Sequence, residues 1–212
     1  MFRSLFRPDS PLMVTLSQIT DCIFLSLFFI VGCFPVVTVG ASFAALYDST
    51  CRGFRKGEKH TWQRFLEVFR NNWKAGILPT LVFLVLCAGL TKGLVFLWNS
   101  AVYQEISWML FSGGAFVGVL AAGILSVLFP MLSRFENSLG ALLKNTLILS
   151  VANMPRTLAL GILNTASLLL CVRYVYPLFF LPSLAALIGS LFIEPMFKPY
   201  MPVEDTTEEA PE

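Results

Sequence analysis

Residues 33–47 read CFPVVTVGASFAALY. The stretch follows a long apolar run and contains no charge. Pro35, Thr38 and Gly40 nevertheless fall where a membrane helix would continue. Either the chain leaves the membrane here, or it turns at Pro35 and a second helix, 36–51, runs back. That choice decides the topology.

The surrounding composition sets the class. Of 212 residues, 56% are hydrophobic and 13% charged, against about 25% charged in soluble domains. The sequence predicts an all-α polytopic bundle. A hydrocarbon core needs about 20 apolar residues per helix. Segments 12–34, 77–98, 106–130, 156–172 and 177–197 supply such runs, the last interrupted by Pro182. Segment 36–51 is a short sixth candidate, and without it the count is five. The first run is bulky in Leu and Phe and lacks a small-residue cleavage pattern, so it reads as a retained membrane segment.

Charge asymmetry favours six spans. Segment 52–74 carries seven basic residues, Arg52, Arg55, Lys56, Lys59, Arg64, Arg70 and Lys74, and belongs in the cytoplasm. With 36–51 crossing, both termini face inward, and thirteen of the fifteen basic residues lie on or near the cytoplasmic side. The expected location is a membrane, crossed several times with both termini on its cytoplasmic side. Trp98, Tyr103, Trp108, Tyr174 and Tyr176 then fall near the outer interface, and Trp62, Trp73 and Tyr200 near the inner one.

Two loops read as interfacial helices, 61–74 and 137–150. In the first, Trp62, Phe65, Leu66, Phe69 and Trp73 share one helical face, with Thr61 as N-cap. The face serves either the bundle itself, a partner or the inner interface. In the second, Leu139, Leu142, Leu143 and Leu147 do the same, with Asn137 as cap. An offset of 74 aligns Arg70–Asn71 with Lys144–Asn145, a hint of an internal repeat. Segment 1–198 is expected to be a single membrane domain, and the acidic tail 199–212 to be disordered.

Few residues invite chemistry. Asp21, within the first run, is either a buried ionisable group with a role or an interfacial one. Glu194 reads as an interfacial partner of Lys198, and Asp48 as interfacial. Gly114 and Gly118 belong to a small-residue face suited to close helix packing or a partner. Cys22, Cys33, Cys51, Cys87 and Cys171 show no metal or disulfide spacing, and His60 is the only histidine. No phosphate-binding loop, hydrolase elbow or zinc motif occurs. The expectation is a protein without catalytic set, metal or cofactor, and without nucleotide or nucleic-acid binding.

Read in order, FPVVTVGASFAALYDST, RGFRKGE, WQRFLEVFRNNWKAG and FPMLSRFENSLGALLKNTLILSVANMP resemble the YesL family of bacterial membrane proteins over roughly residues 10–195. The family carries a PxxTxG element after its first helix, matched by Pro35, Thr38 and Gly40, then an aromatic FxxxFxxN segment. Its first helix often has Asn where this chain has Asp21, which weakens an acid–base role there. The resemblance implies an accessory membrane subunit of a carbohydrate importer, in contact with permease subunits and lipid, with Trp62, Phe65, Phe69, Trp73, Gly114 and Gly118 as contact residues. The alternative is a stand-alone small-solute transporter or channel.

Overall fold

A computed structural model describes residues 11–55, 61–103, 107–135 and 138–200. Helix α1 is Pro11–Cys33. A 3-10 turn, Val36–Thr38, leads into α2, Val39–Thr50, which ends in a π turn, Cys51–Arg55. Helix α3 is Thr61–Val102, α4 is Trp108–Arg134, α5 is Leu139–Ala152 and α6 is Met154–Arg173. A 3-10 turn at Tyr176–Phe179 precedes α7, Leu181–Phe197, and the 3-10 turn Lys198–Tyr200 follows it. No strand occurs among the described residues. Four helical stretches, Thr61–Val102, Trp108–Arg134, Met154–Arg173 and Leu181–Tyr200, are long and apolar enough to cross a membrane. The architecture is an all-α membrane bundle. His60, Asn137 and the acidic tail beyond Tyr200 lie outside the described residues.

The chain does turn at Pro35. Its extended backbone (φ −77°, ψ 112°) starts the reversal. Thr38 closes it: its amide donates to the Pro35 carbonyl at 2.9 Å, and its hydroxyl lies 2.7 Å from both the Gly32 and Pro35 carbonyls. Those bonds satisfy carbonyls that the end of α1 leaves without helical donors. Gly32 then faces Ser42, the Phe29 and Phe43 rings meet edge-on at 4.8 Å, and Leu25 shares a buried cluster with Ala45 and Leu46. This is the pairing of an antiparallel hairpin.

The returning helix differs from a lipid-facing span. α2 has 12 residues, roughly 18 Å at 1.5 Å per residue, against about 30 Å of hydrocarbon. From Gly40 to Thr50 every residue is buried except Phe43. Small residues at Gly40, Ala41, Ser42, Ala44 and Ala45 let neighbours close around it. Ala44 and Tyr47 enter one core cluster, with α4, α5, α6 and α7. Ala45 and Leu46 enter the other, with Leu25, Phe65 and Val68. α2 is thus the shared centre of both cores.

Segments 61–74 and 77–98, expected as separate helices, are one continuous helix. α3 has 42 residues with Pro79 inside it, a contour of about 63 Å. Gly76 and Pro79 do not interrupt it because α2 covers them. Gly76 packs on the Ala41 backbone. Thr80 Oγ1 donates to the Gly76 carbonyl at 2.6 Å and accepts the Gly40 amide at 3.0 Å. Neighbouring helices tolerate such breakers by satisfying freed polar groups. The opposite outcome holds at Asn153, where φ −120°, ψ 45° ends α5 and Pro155 starts α6. The 74-residue offset therefore aligns one unbroken helix with two helices.

α4 passes through Pro130 to Arg134, and α7 through Pro195 to Phe197. Both prolines sit among buried neighbours, Phe129 and Met131 in α4 and Met196 and Phe197 in α7, so packing outweighs the lost bond. α4 and α6 cross antiparallel in backbone contact: a methyl on Gly123 would strike the Thr157 carbonyl, and one on Gly161 the Val119 carbonyl. That antiparallel crossing brings the α3–α4 and α6–α7 turns to one end of α4. Trp98, Trp108 and Phe111 form an edge-on cluster at the first turn, and exposed Tyr174 and Tyr176 mark the second.

Candidate functional site

At the other end of α4 lies a group of buried charges. Asp48, near the end of α2, is 1% exposed and Glu194, in α7, 3%. The Arg134 side chain, the last of α4, is 7% exposed and joins them. Its Nη2 donates to Glu194 Oε1 at 2.9 Å, and its Nε stands 3.7 Å from Asp48 Oδ1. Arg64, from the first turn of α3, donates through Nε to Asp48 Oδ2 at 2.8 Å. Arg52 does so to Oδ1 at 3.3 Å. Cys51 and Tyr47 donate to the same Glu194 oxygen at 2.9 and 3.3 Å. Arg55 Nη1 reaches the Ser190 carbonyl at 3.4 Å, one turn before Glu194.

Burying an ion is costly unless it is paired and hydrogen-bonded. Here two carboxylates face three guanidinium groups, drawn from the π turn, α3 and α4. The arrangement can hold helices together: each carboxylate accepts from a guanidinium group, and of the cluster's buried side-chain atoms only the Arg134 Nε, 3.7 Å from Asp48, makes no hydrogen bond among the described residues. Cys51, the only sulfur in it, is buried and bonded to Glu194, with Arg134 Nη2 at 3.7 Å. The cluster is a clasp on the C-terminal end of α2, locking it to α3, α4 and α7. Asp48 and Glu194 are therefore deeply buried members of a shared network.

The residues singled out from the sequence are dispersed. Asp21 is half-buried on α1 and hydrogen-bonded to Thr61. Pro35, Thr38 and Gly40 build the reversal. At Gly40 a methyl would overlap Thr80 Oγ1 and come within 2.6 Å of Phe129 Cε1. Arg70 and Asn71 are exposed on α3, and Lys144 is exposed on α5. Asn145 lines an open groove of about 250 Å³ with Met131, Phe135 and Tyr200. The two basic–amide pairs do not meet: an apolar groove of about 220 Å³ between Val82 and Leu86 of α3 and Leu143 and Leu147 of α5 separates their helices.

The expected contact face of 61–74 is divided. Phe65 is buried and stacks on Phe28 and Phe69 at 6.0 and 6.2 Å. Trp62, Leu66 and Trp73 stay 44%, 45% and 46% exposed. The inward face is set by Thr61, Phe65, Val68, Gly76 and Thr80. Gly114 and Gly118 receive Leu97 and Leu94 of α3, so that small-residue face is internal packing.

Sequence reasoning missed the clasp. Its trace is the position of three charges after long uncharged runs: Asp48 after 22–47, Arg134 after 106–133 and Glu194 after 174–193. Their convergence depends on helix packing that no run reveals.

Among known families, residues 22–92 match the model described as "Protein of unknown function, DUF624". The matched region holds most of α1, the reversal, α2, Asp48 and α3 as far as Lys92. No curated protein and no solved structure matches the chain.

Proposed function

We propose that this chain is a non-catalytic accessory subunit of the bacterial cytoplasmic membrane that packs beside permease subunits of a carbohydrate importer, with both termini cytoplasmic. The observation that carries the reading is the outward face at the start of α3. Trp62 and Leu66 lie one turn apart, each nearly half exposed. They stand among Gln63, Arg64, Glu67 and Arg70, which keep this part of α3 out of hydrocarbon. The chain's own core uses Phe65 and Val68 from the adjoining face. Exposed aromatic and aliphatic pairs of this kind are what partner interfaces bury.

The carbohydrate importer as partner rests on the resemblance to the YesL family; the family match over 22–92 is to a family of unknown function and bears on that resemblance alone. The arginine-held clasp favours a rigid support over a stand-alone carrier, because Asp48 and Glu194 are already neutralised. Affinity purification from native membranes tests the reading. Permease subunits should accompany the tagged chain and be lost from Trp62→Ala/Leu66→Ala. A chain that purifies without them in mild detergent would overturn it.

A further inference from the structure

One basic pair remains outside the ionic network. Arg70 and Lys74 lie four residues apart on α3, and both are exposed. Like charges at this spacing repel. Arg52, Arg64 and Arg134 all reach carboxylates, whereas neither Arg70 nor Lys74 has a carboxylate partner among the described residues. Glu67, the acid nearest to Arg70 in the chain, is bonded to Arg64 at 3.2 Å. Between the two cations sit exposed Asn71 and Trp73, and the Lys74 ammonium lies 5.6 Å from the Trp73 ring centre.

The position along the chain says what the pair faces. Lys74 is the last charge before an uncharged run, 75–91, which is about 26 Å of helix and close to the thickness of the hydrocarbon core. Leu78, Leu81 and Val85 continue the exposed side of α3 into that run. Trp73 and Lys74 therefore sit at headgroup depth, where an indole and a long cationic side chain are both favoured.

We infer that Arg70, Asn71, Trp73 and Lys74 form a binding site for the phosphodiester of an anionic phospholipid. The two cations would flank the phosphate, the Asn71 amide would add a donor, and the Trp73 ring would lie against the glycerol and upper acyl chains. The site is independent of permease binding, which is assigned to Trp62 and Leu66.

The test uses the full chain with Trp73 as its only tryptophan (Trp62, Trp98 and Trp108 replaced by Phe), reconstituted in bilayers. Brominated phosphatidylglycerol and brominated phosphatidylcholine, at equal mole fraction in the same host lipid, are compared as quenchers. The phosphatidylglycerol should quench Trp73 more strongly. Each of Arg70→Gln and Lys74→Gln should lower the relative affinity about five-fold, the contribution of one basic side chain at an anionic surface. Both substitutions are at exposed positions, and an unchanged elution profile will show the fold intact. Equal quenching by the two lipids, or a preference that survives the double substitution, overturns the site. So does absence of quenching by either lipid, since Trp73 would then lie away from the bilayer.

Discussion

Replacing Arg134 by methionine should damage this protein more than any other single change in the charged cluster. Arg134 is the cation bonded to Glu194, whose side chain is 4% exposed. Methionine fills much of the volume and leaves Glu194 with Tyr47 and Cys51 as its side-chain donors among the described residues. Removing one member of a buried ion pair costs about 3–5 kcal/mol. Asp48→Asn is milder, because Arg52 and Arg64 are 25% and 30% exposed and can turn to water; about 1–3 kcal/mol is expected for the lost bonds. Arg134→Met/Glu194→Met should regain most of the stability, since an apolar pair can replace a buried ionic one at little net cost. The assay is the midpoint of heat-induced loss of the monodisperse peak in detergent. The expected order, from most to least stable, is parent, then the double substitution, then Asp48→Asn, then Arg134→Met. An Arg134→Met protein as stable as the parent, or a double substitution worse than Arg134→Met, would refute the clasp.

Other expectations follow from single contacts. Gly40→Ala and Gly123→Ala should both fail to give a monodisperse protein, because their methyls meet Phe129 and the Thr157 carbonyl, while Gly113→Ala, with open space around it, should behave as the parent. Thr80→Val removes the donor to Gly76 and the acceptor for the Gly40 amide, and should lower stability by about 1–3 kcal/mol in the same assay. Thr80→Ser should retain most of it. Trp62→Ala/Leu66→Ala should leave the melting midpoint within error and abolish permease co-purification.

The helical bundle was legible because each apolar run is long and clearly bounded. The reversal at Pro35 was legible too, since a proline, a hydroxyl and a glycine within six residues are the ingredients of a tight helical turn. The fate of 36–51 was not. Its small residues fit equally a short, little-tilted span and a helix shielded by others, and the contacts of Gly40 with Thr80 and Phe129 show it enclosed. Gly76 and Pro79 look like a boundary between an interfacial helix and a span, yet packing on Ala41 and the Thr80 bonds carry the helix through. The inward direction of α3 was blurred because Trp62, Phe65, Leu66, Phe69 and Trp73 share one stripe, while the buried side, Thr61, Phe65, Val68 and Gly76, is rotated to one edge of it. Asp48, Arg134 and Glu194 come from distant segments, and their partnership needs the three-dimensional register of α2, α4 and α7.

The central claim concerns what covers Trp62 and Leu66 in the cell. A photo-crosslinking amino acid at position 62, activated in native membranes, tests it directly. The account predicts covalent adducts with permease subunits of a carbohydrate importer, absent when the same group is placed at exposed position 109. Adducts with lipid alone, or none above the position-109 background, would contradict it.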